Sequence, residues 1–145
     1  MTQKKKILFI TDPREWGGCE ILLLDYLSAI DYSNLEVVLV TTKDFFSQRI
    51  AERRLPIKVE LFPFALKGNA WQRFTRFHQF LKQFKPVDKI VYFPGAYYIF
   101  KWSEYLAGFW VANKEVYSVE NLGLFEPPKE DGKKYFGFIP ALRLW

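Results

Sequence analysis

The sequence predicts an α/β protein with a Rossmann-like, doubly wound parallel sheet. Two observations carry this prediction. Short apolar runs alternate along the chain with amphipathic helical patterns, and the runs predicted to be central strands are almost continuously apolar. Units of strand, helix and strand join parallel strands by right-handed crossovers and place helices on both faces of the sheet. We therefore predict five strands in the order 3-2-1-4-5.

Local signals set the bounds of the predicted elements. Pro56 and Pro86 end the second and third helices, because proline lacks a backbone donor and clashes with the preceding turn. The third strand alternates apolar with charged residues, which is typical of an edge strand. The predicted strands cover residues 7–10, 35–41, 57–62, 88–93 and 115–119, and the predicted helices cover residues 19–30, 43–54, 70–84 and 97–111.

Aromatic residues and one glycine indicate how the last two helices pack. In the third helix, Phe80 and Phe84 lie beside the main apolar stripe, so we expect them to form an aromatic surface among basic residues. In the fourth helix, Gly108 costs about 1 kcal/mol relative to alanine, which predicts a close contact or a local break there. The main stripe of the third helix comprises Trp71, Phe74, Phe77, His78 and Leu81, and the basic residues are Arg73, Arg76 and Lys82.

Composition limits the class of protein. The chain has 145 residues, of which 50% are hydrophobic, so it can bury the core of one domain and is too apolar to be disordered. No apolar segment approaches the roughly 20 residues of a membrane-spanning helix, and no signal-peptide core follows Met1. The single cysteine, Cys19, agrees with a reducing compartment. We therefore expect a cytoplasmic protein.

Charge and aromatic content indicate the kind of partner. The formal net charge of +5 favours anionic partners. Aromatic residues make up 19% of the chain and are interleaved with Arg and Lys, as on membrane-interface surfaces and single-strand nucleic-acid platforms. The alternative is a core that uses Phe and Trp instead of Leu and Ile. No nucleic-acid motif accompanies the charge, so we expect no nucleic acid and keep an anionic membrane surface as a candidate partner.

Residues 6–24 are the stretch most indicative of function. A short apolar strand leads through Gly17 and Gly18 into a helix that begins near Glu20. Such a turn brings backbone N–H groups and the positive end of a helix dipole to one point, which suits an anion such as a phosphate. The alternative is a turn that serves packing alone. The G-x-G-x-x-G spacing of dinucleotide-binding proteins is missing, so a nicotinamide cofactor is disfavoured.

The predicted topology places the candidate site beyond the carboxyl ends of the first and fourth strands, where the winding reverses. Three segments converge there, at residues 12–20, 94–98 and 120–124. Glu20 has an alternative role, because an acidic residue in the first helical turn also favours the helix dipole. We expect no metal site, because His78 has no second ligand at a useful spacing. The candidate substrate-binding residues are Asp12, Gly17, Gly18, Glu20, Gly95 and Asn121.

The order of elements around this turn resembles the amino-terminal domain of family-4 glycosyltransferases, enzymes built from two facing Rossmann-like domains. The motif of that family is usually Gly-Gly-Ala/Ser-Glu, here with cysteine in the small position. The strand at residues 36–42 fits the same pattern, and the similarity extends more loosely to about residue 121. The residues that match the motif are Gly17, Gly18, Cys19 and Glu20.

The resemblance implies roles for individual residues. Gly17 and Gly18 would contact the diphosphate of a sugar nucleotide, which is the donor substrate and is held mainly by a second domain. The family often has a histidine at the end of the fifth strand, near the acceptor hydroxyl, where this chain has Glu120. Glu120 is therefore the candidate catalytic residue. A carboxylate can accept a hydroxyl proton, but it cannot donate to a developing charge as a protonated imidazole can.

We therefore expect a metal-independent glycosyltransferase domain that transfers a hexose from a sugar nucleotide to a saccharide or lipid-linked acceptor when joined to its donor domain. Residues 1–145 are expected to form one truncated Rossmann-like domain, inactive alone and attached peripherally to the inner face of the membrane. No cofactor beyond the sugar nucleotide is expected. The alternative is a non-catalytic binding domain for a membrane surface or a partner protein.

Overall fold

A computed structural model describes residues 4–13, 15–64, 67–93 and 100–118. Strands and helices alternate along these residues. The strands are β1 (Lys5–Thr11), β2 (Leu35–Thr41), β3 (Ile57–Leu61), β4 (Val87–Tyr92) and β5 (Ala112–Ser118), and the helices are α1 (Gly18–Ser28), α2 (Ser47–Glu52), α3 (Ala70–Lys82) and α4 (Trp102–Val111). The loop expected at residues 122–137 and the helix expected from residue 139 lie outside the described residues.

The strands form one parallel sheet in the order β3-β2-β1-β4-β5, so the predicted α/β fold and strand order are confirmed. The winding reverses between β1 and β4. At the carboxyl ends, Thr11 is in register with Thr41 of β2, and Ile10 with Tyr92 of β4. The chain segments that leave these three strands therefore begin side by side at one edge of the sheet.

Helices cover both faces of the sheet, as predicted. Successive side chains of β1 alternate between the faces, so Phe9 packs with one buried cluster while Leu8 and Ile10 pack with the other. The Phe9 cluster includes Leu23, Leu24 and Leu27 of α1 with Ile50 of α2, and the opposite cluster includes Phe74, Phe77 and Leu81 of α3 with Ala107 and Val111 of α4. Burial on both faces explains the nearly continuous apolar runs of the inner strands.

The prediction that Phe80 and Phe84 form an exposed aromatic surface is wrong. Phe84 is buried, and Phe80 is partly buried, with ring contacts to Phe84 at 5.4 Å and to Phe62 at 4.7 Å. Phe84 lies in the turn that follows α3, where its N–H donates to Leu81 O at 3.1 Å, and it packs in the same buried cluster as Leu81. Trp71, expected in the stripe, is instead 69% exposed.

Helix α2 is shorter than the helix predicted at residues 43–54. The Asp44 carboxylate accepts a hydrogen bond from Ser47 N at 3.1 Å, which holds the preceding residues in a turn. At the other end, Arg54 has φ of 53°, a left-handed conformation that stops the helix before Pro56. The predicted inward residues Phe46 and Ile50 are both buried.

Helix α4 contains the close contact predicted at Gly108. A Cβ built on this glycine would lie 3.2 Å from Cζ of Tyr92 and would overlap its hydroxyl oxygen. Among the described residues, no helix is both long and apolar enough to cross a membrane.

Candidate functional site

The candidate site lies at the carboxyl end of β1, where the chain turns into α1. Asp12 follows the strand and is 7% exposed. Its carboxylate accepts a hydrogen bond from the hydroxyl of Thr42, the residue that follows β2. This bond joins the loops that leave the two strands and positions the start of the β1–α1 turn.

Glu20 lies in the first turn of α1, and its side chain forms a hydrogen bond to the backbone at the start of the helix. Its Oε2 accepts a hydrogen bond from Gly17 N at 3.0 Å, and the residue is only 5% exposed. A side chain three positions into a helix that reaches back to the cap amide satisfies one of the donors left open at a helix N-terminus. The carboxylate thus has a local structural partner, which agrees with the helix-stabilising alternative for this residue.

The two glycines of the turn leave the backbone at the start of α1 without side chains. Gly17 is extended, with φ of −155° and ψ of −162°, and a Cβ on it would lie at ordinary contact distance, 3.4 Å, from Glu20 Oε2. Gly18 begins the helix and is exposed. No atom of the described residues lies within 4 Å of a Cβ built on Gly18, and its φ is outside the left-handed range. Neither backbone strain nor crowding requires a glycine at position 18.

Trp16 fixes the outer side of the same turn. Its indole contacts the ring of Phe46 edge-on at a centroid distance of 5.3 Å, and the guanidinium of Arg49 lies 3.8 Å above it. A cation over an indole face is attracted by the ring quadrupole. The contact of Arg49 was not predicted from sequence, because it joins the β1–α1 turn to α2, which is distant in sequence. The sequence showed only that an arginine lies one helical turn after Phe46 in the second predicted helix.

Gly95, Asn121 and the candidate catalytic residue Glu120 lie outside the described residues. The strands that precede them do end beside the turn. Phe93 N donates to Ile10 O at 2.8 Å, and Tyr92 is in register with Ser118 of β5. Of the candidate residues, Gly17, Gly18 and Glu20 meet at the start of α1, and Asp12 lies at the end of β1, where it bonds to Thr42.

The described residues contain no group of three or more His, Cys, Asp and Glu side chains able to hold a metal ion. Cys19 is half-buried in the first turn of α1. His78 is half-buried on α3 and stacks on Phe74 at 5.4 Å with an interplanar angle of 6°. Burial, and then the charges of Lys82 and Lys85, lower the pKa of His78.

A second feature lies on the opposite face of the sheet, where α3 and α4 expose large apolar side chains. We call it the α3–α4 aromatic surface. Its residues are Trp71, Trp102, Leu106, Phe109 and Trp110, with exposed fractions of 69%, 63%, 36%, 47% and 63%. Sequence reasoning expected an exposed aromatic surface at Phe80 and Phe84 and did not predict this one.

No protein-family profile and no curated protein sequence matches the chain. Among solved structures, the chain is similar to the C-terminal domain of a hydrogenase from Pyrococcus furiosus, with a TM-score of 0.45 and 12% sequence identity. The match covers 80% of this chain and 92% of that one. A likeness of this size carries no information on function.

Proposed function

We propose that the chain is the amino-terminal, acceptor-side domain of a glycosyltransferase that uses a sugar nucleotide and acts when joined to a donor domain. The observation that carries the proposal is the bare backbone at Gly18. A glycine that neither strain nor crowding requires leaves the first turn of α1 open to a ligand. This turn lies at the edge where doubly wound sheets bind their ligands.

The amino-terminal end of α1 favours an anionic ligand through its helix dipole. The first N–H groups of a helix lack partners within the helix, and the helix dipole adds partial positive charge at the same end. In α1 this end of the helix begins at Gly18, which is exposed. The Glu20 carboxylate is directed to Gly17 N, one residue earlier. Together with the resemblance to family-4 glycosyltransferases, this arrangement supports a diphosphate as the ligand.

The proposed reaction assigns two roles to this chain. Hexose transfer breaks the bond between the sugar C1 and the diphosphate oxygen, so negative charge develops on the leaving group. Backbone N–H groups aimed at that charge stabilise the transition state. The acceptor hydroxyl loses a proton as it attacks C1, and Glu120 is the group proposed to accept that proton. The acceptor is a saccharide or a lipid-linked saccharide.

The test is a transfer assay with labelled nucleotide sugars and a panel of saccharide and glycolipid acceptors. The chain joined to a donor domain should transfer sugar, and the chain alone should show no turnover above blank. Gly18→Val should lower the rate by about 100-fold, which corresponds to roughly 3 kcal/mol for a lost charge-assisted contact. The matched control is Ala70→Val, at the first residue of α3. Equal activity of the two variants would reject the diphosphate role of the turn.

A second candidate function is a non-catalytic binding domain for a membrane surface or a partner protein. The α3–α4 aromatic surface favours it, because monomeric proteins rarely expose large contiguous apolar patches without a binding role. Absence of transfer in every donor and acceptor combination, with retained binding through this surface, would favour this candidate over the enzyme.

A further inference from the structure

Helix α4 is apolar on two sides. Its inner side packs on the sheet through Ala107 and Val111, which are 0% and 1% exposed. The outer residues recur three and four positions apart along the helix, so they share one face. That face carries Trp102, Leu106, Phe109 and Trp110. A surface helix normally places charged residues on its outer face. The outer face of α4 is apolar, so it suits contact with a second apolar surface besides the sheet.

Ring contacts extend this face onto α3. Trp71 stacks on Phe74 at 5.2 Å, and Phe74 contacts Trp110 edge-on at 6.5 Å. His78 stacks on the same Phe74 ring at 5.4 Å. Trp71 and Trp110 are thus held in position by a shared buried neighbour, and the exposed indoles of two helices form one continuous surface.

The charges around this surface are positive. Helix α3 contains no acidic residue, and the one acid of α4, Glu104, is 3% exposed and accepts a hydrogen bond from Lys101 N at 2.6 Å. Within the described residues, the ion pairs between side chains lie on other elements. Lys82 and Lys85 lie near His78, which stacks on Phe74 beside Trp71, and Lys101 precedes Trp102 at the start of α4.

We propose that the α3–α4 aromatic surface binds the interface of an anionic lipid membrane, with the indoles at headgroup depth and the cations against lipid phosphates. Tryptophan concentrates at membrane–water interfaces because its ring is apolar and its N–H is polar. Basic residues without acidic neighbours are complementary to an anionic surface. Leu106 and Phe109 are exposed apolar side chains that suit contact with acyl chains.

The proposed membrane contact does not depend on sugar transfer, because it involves residues of α3 and α4 and none of the β1–α1 turn. The chain attaches through side chains of folded helices, so binding requires no new secondary structure.

The test is co-sedimentation of the full chain with phosphatidylcholine vesicles, with and without phosphatidylglycerol, at low and high salt. We expect binding that is stronger with phosphatidylglycerol and weaker at high salt. Trp102→Gln with Trp110→Gln should weaken binding by about 10-fold or more, since two interfacial anchors are lost. Replacing Lys82 and Lys85 with Gln should remove most of the preference for phosphatidylglycerol.

The matched control carries Ile21→Gln and Leu22→Gln. These α1 residues are 46% and 52% exposed on the other face of the sheet, so the control loses apolar surface of a similar kind. It should bind vesicles like the unmodified chain. We expect each variant to fold, because all four replaced apolar side chains are exposed. Circular dichroism of each variant verifies this.

Three outcomes would overturn the proposal. Equal vesicle binding by the Trp102/Trp110 variant and the α1 control would place the contact elsewhere. No binding of the unmodified chain to either vesicle would reject a lipid partner. Sedimentation velocity showing a dimer that the Trp102/Trp110 variant loses, without vesicle binding, would assign the surface to a second copy of the chain.

Discussion

The phenol of Tyr92 passes over the backbone of Gly108 and donates a hydrogen bond to Glu104 O at 2.5 Å, one helical turn earlier. Tyr92 is fully buried at the end of β4. Burial, and then the neighbouring charge of Glu104, raise the pKa of Tyr92 well above its ordinary value, so the phenol stays protonated and remains a donor. This contact sets how closely α4 approaches the sheet.

Gly108→Ala should therefore destabilise the protein although alanine favours helices. The added methyl overlaps the Tyr92 hydroxyl, and overpacking costs about 1–3 kcal/mol against a propensity gain of about 1 kcal/mol. We expect a net loss of up to about 2 kcal/mol in the free energy of unfolding, measured by urea denaturation. In a Tyr92→Phe background the same substitution should cost less. Additive effects of the two substitutions would contradict the contact.

The bond between Thr42 and Asp12 should contribute measurably to stability. Thr42→Val removes the donor and leaves the buried Asp12 carboxylate without it, at a cost of about 1–3 kcal/mol. Thr75→Val is the matched control, because its hydroxyl donates to Trp71 O of the same helix at an exposed site. A double-mutant cycle of Thr42→Val with Asp12→Ala, followed by urea denaturation, should give a coupling energy above about 0.5 kcal/mol. A coupling energy near zero would count against the link.

Glu20 should act first as a helix cap. Glu20→Gln keeps an oxygen that can accept from Gly17 N and should change stability little, whereas Glu20→Ala should cost about 1 kcal/mol. Thermal unfolding measures both variants, with Glu36→Ala as a control at an exposed acid on β2. If Gln and Ala variants unfold at the same temperature, the cap assignment fails.

His78 should titrate below its ordinary pKa of about 6.5. Partial burial disfavours the imidazolium, and Lys82 and Lys85 repel it. Because the folded pKa is lower than the unfolded one, the unfolded chain takes up the proton first. The contribution to stability is therefore complete above the unfolded pKa and declines as the pH falls through that value toward the folded pKa.

An NMR titration of the His78 ring protons measures this pKa directly. Lys82→Gln should raise the pKa of His78, and Lys58→Gln, on the edge strand β3, should leave it unchanged. A His78 pKa at or above the ordinary value would contradict the described surroundings of the ring.

The sheet could be predicted from sequence because its signals are local. The run from Leu35 to Thr41 is nearly all apolar or β-branched, and the predicted and observed bounds of β2 agree. The start of α2 could not be predicted, because it depends on the bond from Ser47 N to the Asp44 side chain. The exposure of Trp71 and the burial of Phe84 were assigned the wrong way round, because periodicity alone left the centre of the α3 stripe uncertain by about one position.

The candidate site was predictable only where one short segment builds it. Gly17, Gly18 and Glu20 follow one another in sequence, so their convergence at the start of α1 required only a strand followed by a helix. The contacts of Asp12 with Thr42 and of Trp16 with Arg49 join residues from separate loops and elements. Such pairs depend on strand register and on helix placement, which local patterns do not specify.

The first turn of α1 is proposed to bind a diphosphate, and an NMR titration of the isotopically labelled chain, joined to a donor domain, with UDP and GDP tests this binding most directly. The amide resonances of Gly17, Gly18 and Cys19 should shift along one saturable curve. Gly18→Val should abolish the shifts while the unfolding temperature changes by only a few degrees, and Ala70→Val should retain them. No shift of these three amides at saturating nucleotide, or shifts confined to other residues, would contradict the claim.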